Sequence, residues 1–176
     1  MEEMSSMSEA VFGGFVDSVR SQLEEFGTAV GRSSFELEAM AASVQDTFVP
    51  LGFARGQAAD LSVQLTKLAV DVGSFKNELE TDVMAAFQSA LVGNHEAVRR
   101  FGIVITEAEL QAELFRMGIT KNAKQVDAQT KVQARLNLIL AGTTDAQGDA
   151  ARTSGSYANL TRALDAEVKL LANDLG

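Results

Sequence analysis

The chain has 176 residues, 46% of them apolar and 22% charged, which fits one folded domain or one and a fraction and excludes disorder throughout. One Pro, one Tyr and no Trp leave too few turn and strand formers for an all-β fold; zero Cys excludes disulfides and thiolate metal sites, and a single His excludes a multi-histidine metal centre. A net charge of −9 argues against a dedicated nucleic-acid-binding domain, no apolar run is long enough for a membrane span, and the start Met1-Glu2-Glu3-Met4 lacks a signal-peptide pattern.

The acids crowd into the first part of the chain. Residues 1–50 hold nine acids and two bases, whereas the remaining 126 residues hold 15 and 13, so a composition break falls near Pro50. The same stretch carries a seven-residue period. Positions a read Val16, Leu23, Val30, Leu37 and Val44, and positions d read Phe12, Val19, Phe26, Ser33 and Met40, with Ser33 the lone polar member. This predicts a long amphipathic or coiled-coil helix over 1–49. Gly13, Gly14, Gly27 and Gly31 each weaken it by about 1 kcal/mol relative to Ala. The helix therefore needs a partner, either copies of itself or the rest of its own chain. Pro50-Leu51-Gly52 ends the segment, since Pro lacks an N–H and disfavours helix before it.

Residues 50–176 read as further helices. Arg55 to about Glu80 places Leu61, Leu65, Leu68, Val72, Phe75 and Leu79 on one face. Thr81 or Asp82 is the expected cap of the next helix, which ends at Gly93, and Asn94 the expected cap of a short one over 95–101, closed by Gly102. Ile103-Val104-Ile105 is β-like but too short to imply a sheet, and Thr106 to Glu109 has capping-box spacing. A long helix is expected from about Val126 to Gln147, a turn at Ser154-Gly155-Ser156, and a last helix from about Tyr157. The predicted class is all-α: a long N-terminal helix, several shorter helices and a long C-terminal helix pair. Helical rhythm runs to Gly176, so 50–176 is expected to be a fragment of a longer chain.

Chemistry finds little foothold. His95 and Glu96 are adjacent and diverge by about 100° on a helix, so a solvated His is expected. Glu78, Glu80 and Asp82 lack calcium-loop spacing and read as a solvated helix end. Gly52 to Gly56 matches G-x-x-x-G outside any apolar span, and Arg99, Arg100 and Arg116 read as surface bases. No phosphate-loop, dinucleotide, zinc-protease or nucleophile-elbow motif occurs. No catalytic, cofactor-binding or metal-ligating residue is assigned, and the chain is expected not to be an enzyme.

Three ungapped blocks carry a resemblance. PLGFARGQAADLSVQLTKLAVDVGSF (50–75), ALVGNHEAVRRFGIVITEAEL (90–110) and KVQARLNLILAGTTDAQGDAARTSGSYANLTRALDAEVKLLANDLG (131–176) resemble the conserved core region of tailed-phage tail tape-measure proteins. The first looks like the helix preceding that core. The second carries its small-Leu-Val-Gly, Glu, Arg-Arg-Phe-Gly-Ile signature, and the third its Gln-Ala-Arg, Ala-Gln-Gly-Asp and Ala-Arg-Thr-Ser block. Segment 50–176 is thus read as a tape-measure core region and 1–49 as an acidic helical segment beside it. Family members are generally far longer, and the membrane-active spans or cell-wall-cleaving domains that some carry have no counterpart here.

The resemblance implies a structural virion protein that lies in the tail-tube lumen, sets tube length during assembly in the host cytoplasm, and leaves ahead of the DNA at ejection. Implied partners are copies of itself, as a trimer, the tail-tube protein, baseplate hub or distal tail proteins and tail assembly chaperones, with no cofactor and no sequence-specific nucleic acid. The a/d residues themselves fix no copy number. Helix breaks crowded into 81–118 and 142–155 point to a compact knot within a rod, expected to meet a partner. The competing readings are a generic helical scaffold or interaction module and a cell-wall hydrolase domain, the latter lacking any paired catalytic carboxylates.

Overall fold

Gly13 and Gly31 decide the shape of the first 49 residues. They take φ 57° and 67°, left-handed backbone that a β-carbon disfavours, and they cut the heptad run into pieces. In the computed structural model, which describes residues 2–153, 164, 166–168 and 171, the pieces are α1 (Glu2–Phe12), α2 (Val16–Val30) and α3 (Ser34–Phe48). A 3-10 turn, Gly13–Phe15, joins the first two. Ser33 caps α3, its hydroxyl accepting the Glu36 N–H at 3.5 Å. The single long N-terminal helix expected from the period is therefore three shorter ones.

The stripe itself is intact. Phe12, Val19, Leu23, Val30, Leu37 and Val44 are buried, and Val16 and Phe26 are half-buried. Their cover comes from the same chain. Leu23, Val30 and Leu37 share one apolar cluster with Ala59, Val63 and Val70 of α4 (Arg55–Lys76). On its other flank α4 packs against α5 (Glu80–Leu91), joining Val44 and Phe48 of α3 in a second cluster through Leu65, Leu68 and Phe87.

Helix α4 is thus enclosed rather than one-sided. Ala58, Ala59, Ser62, Leu65, Thr66 and Asp71 are all buried, while Phe75 and Leu79, expected on the inner face, are 46% and 65% exposed. Small residues let neighbours approach, and each buried polar group has a partner. Ser62 Oγ lies 2.7 Å from the Ala58 carbonyl and 3.2 Å from Gln45 Oε1, and Thr66 donates to the Ser62 carbonyl at 2.8 Å. Gln45 in turn donates to the Arg55 carbonyl at 3.1 Å. The helix stops at Asn77, which is left-handed at φ 56°.

Residues 80–142 build up the α5 side. Leu79, not Thr81 or Asp82, occupies the cap position of α5. Residues His95–Phe101 form a 3-10 helix in which Asn94 makes no side-chain cap. Ile103 and Ile105 point into the core and Val104 out, without strand pairing among the described residues. Thr106 caps α6 (Glu107–Arg116) as expected, accepting the Glu109 N–H at 3.1 Å. Asp127 caps α7 (Ala128–Gly142), accepting the Thr130 N–H at 2.8 Å.

The helix expected to continue to Gln147 ends at Gly142. Thr143 turns its hydroxyl back to the Ile139 carbonyl at 2.8 Å, and the chain bends into a short α8 (Asp149–Arg152). The turn at 154–156 lies outside the described residues, as does most of the final helix; within that helix 164, 166–168 and 171 are helical. Of the expected long C-terminal pair, the first member is the shorter α7, and the second falls mostly outside the described residues. No helix among the described residues is long and apolar enough to cross a membrane.

Enclosure of α4 ranks its leucines. Leu65→Ala should destabilise the fold by about 2–5 kcal/mol, the range for a buried leucine truncated to a cavity. Leu79→Ala, at an exposed position of the same sequence pattern, should stay within about 0.5 kcal/mol. Urea unfolding of the two variants checks the contrast.

Candidate functional site

Polar groups buried between helices mark the places where this fold is most specific. The first is Asp71, a lone carboxylate in the apolar run Leu68-Ala69-Val70-Asp71-Val72 of α4. Its Oδ2 accepts the Gly148 N–H at 2.9 Å and its Oδ1 the Ala150 N–H at 3.2 Å. One turn further on, Ser74 donates to Asp149 Oδ2 at 2.7 Å and lies 3.2 Å from the Thr153 hydroxyl. Asp71 and Ser74 therefore clamp the start of α8, and the Asp71 carboxylate satisfies N–H groups that its first turn leaves without helical acceptors. Burial pushes the Asp71 carboxyl above its ordinary value, outweighing the two N–H bonds and the more distant Arg152, with nearby Asp149 adding to the rise.

A second junction joins α5 to α7. Arg135, half-buried on α7, donates through Nη1 to the Leu91 carbonyl at 3.1 Å, a group at the α5 terminus that has no helical donor. Its Nε donates to His95 Nε2 at 3.0 Å. His95 is thus half-buried and engaged, not the solvated residue the sequence predicted; burial, then Arg135, holds its pKa below the ordinary histidine value against the pull of Glu107.

A third contact ties α6 to α7. Glu113, buried on α6, accepts from Asn137 Nδ2 at 3.0 Å and pairs with Arg116. The Arg116 hydrogen bond, the largest influence, keeps the Glu113 carboxyl below its ordinary range despite burial.

The other sequence candidates are dispersed. Glu80 pairs with Arg32 of the loop between α2 and α3, which separates it from any cation role with Glu78 and Asp82. Glu96 faces Arg99 at 3.5 Å on the surface, and Arg100 lies over the Phe101 ring at 4.6 Å. Among the described residues no group of three or more His, Cys, Asp or Glu is gathered as a metal site. A groove of about 500 Å³ runs between α3 and α5, lined by Arg32, Met40, Leu79, Glu80, Met84 and Ala166 among others. Neither Asp71 nor His95 opens into it. The site this chain presents is structural: polar clamps at helix junctions.

Sequence reasoning passed over Asp71 and Arg135. For Asp71 a signal existed, because an isolated acid within an apolar helical run has to find buried partners. For Arg135 none did, since its partners lie 40 and 44 residues away. Comparison with known protein families, with curated proteins and with solved structures returns no match.

Removing the Asp71 clamp tests its weight. Asp71→Ala leaves the buried Ala150 N–H without an acceptor and should destabilise the fold by about 1–3 kcal/mol. Because the folded carboxyl has the higher pKa, the native state binds more protons than the unfolded chain just above the ordinary Asp value of about 3.9. Wild-type stability from this group therefore falls as pH rises through that window, and the deficit of Asp71→Ala should shrink over the same interval. Denaturant titrations of both proteins across mildly acidic pH give the difference.

Proposed function

We propose that this chain is the core region of a tailed-phage tape-measure protein, acting as a non-catalytic structural body in the lumen of the tail tube. What carries the reading is the resemblance of the three blocks, supported by how their polar residues are used. Asp71 and Ser74 belong to the first block and meet Gly148, Asp149, Ala150 and Thr153 of the third. Leu91 and His95 belong to the second and meet Arg135 of the third. Leu91, Arg135, Gly148, Asp149 and Thr153, which belong to the signatures of the second and third blocks, take part in these contacts.

The fold refines the ruler argument. A helix rises about 1.5 Å per residue, so 176 helical residues would reach roughly 260 Å. Helices of 10–22 residues folded against one another give up most of that length. In this reading the chain counts as one fixed body, and proportionality to residue number resides in tape-measure stretches that stay extended. The implied partners are further copies of the chain, tube subunits, hub or distal tail proteins, and assembly chaperones; release accompanies DNA ejection.

In a phage whose tail gene encodes this sequence, in-frame removal of residues 55–152 is expected to abolish normal tails in electron micrographs. Tails of unchanged number and length would overturn the role. Clearing of peptidoglycan by the purified chain would overturn its non-catalytic character.

A further inference from the structure

We infer that the junction of α5, the 3-10 helix His95–Phe101 and α7 is a proton-operated latch, closed while His95 is neutral and opened when it is charged. A guanidinium has only donors and keeps its proton under all ordinary conditions. The Arg135 Nε–H can bond His95 Nε2 at 3.0 Å only when that nitrogen carries a lone pair. Protonation at Nε2 removes the acceptor and places an imidazolium against a fixed cation.

The surroundings do not absorb the new charge. Glu107, in the first turn of α6, acts on both His95 and Arg135, yet burial and Arg135 together still disfavour the imidazolium. Glu96, next in sequence, is paired with Arg99. From α5 the junction offers the Leu91 carbonyl, already held by Arg135 Nη1. Repulsion is relieved by parting the pair, and withdrawal of Arg135 also strips the α5 terminus of that donor.

The sign follows from linkage. With the folded histidine below its unfolded value of about 6.5, the junction's stability is complete above that pH and is lost as pH falls through it toward the folded pKa. Histidine alone has an ordinary pKa between 5 and 8, and this chain has one. The Asp71 clamp responds in the opposite sense, because its raised pKa makes protonation favour the folded state. Mild acid should thus loosen α7 from α5 while α8 stays clamped to α4. This inference is independent of the tail reading.

The single imidazole makes the test direct. Its ring resonances, followed by NMR, should titrate below the ordinary histidine midpoint, and the midpoint should rise in Arg135→Gln. Protection of amides in 91–105 and α7, corrected for intrinsic exchange, should be lost progressively between pH 7.5 and 5.5. Protection in α2, α3 and α4 should hold. In His95→Gln, where Oε1 still accepts, the local loss should vanish. An ordinary midpoint unmoved by Arg135→Gln, a uniform loss across all helices, or an unchanged loss in His95→Gln would each overturn the latch. Should His95→Gln fail to fold, wild-type titration and site-resolved exchange still decide it.

Discussion

The enclosure of α4 is the constraint on which the other elements depend. The acidic first segment carries an apolar stripe too large to leave in water, and two left-handed glycines, Gly13 and Gly31, fold that stripe back along α4. Burial of apolar surface there is worth roughly 25 cal/mol per Å², the leading favourable contribution to a fold of this kind. Helix α5 covers the opposite flank, and the 3-10 helix, Ile103 and α7 pack outward from it in the same cluster. The solvent stripe of α4 is narrow, with Gln57, Asp60 and Gln64 exposed, and Ser62, Thr66 and Asp71 lie off it and must find partners inside.

Those partners give the fold its register. Apolar contacts are non-directional and tolerate sliding, whereas a carboxylate accepting two backbone N–H groups fixes one arrangement. Asp71 fixes where α8 begins relative to α4, and Arg135 fixes α7 against the end of α5. The proposed tape-measure role accords with this division. It asks for a folded body with defined surfaces, and three groups with displaced pKa values, Asp71, His95 and Glu113, are engaged by neighbouring elements.

Local chemistry was readable from the sequence where cause and effect lie within one turn. The Thr106 cap, the stop at Gly102, and the all-helical character of the described residues follow from short-range rules. The heptad positions correctly named the buried stripe, because period reports which face is apolar. Period does not report who covers it, and a stripe satisfied by α4 reads the same as one satisfied by another chain. Likewise Phe75 and Leu79 fit an inner face by spacing, but Phe75 stands exposed in the last turn of α4 and Leu79 lies past the helix end as the cap residue of α5. The engagement of His95 was illegible because it is set by Arg135, 40 positions distant.

Small-angle scattering of the purified chain, at a concentration where light scattering reports one copy, tests the central claim most directly. A chain of this length closed around α4 should have a radius of gyration of about 16 Å. A value near that, with a compact distance distribution, is the expected result. A radius approaching about 75 Å, as for a continuous helical rod at 1.5 Å per residue, would contradict it.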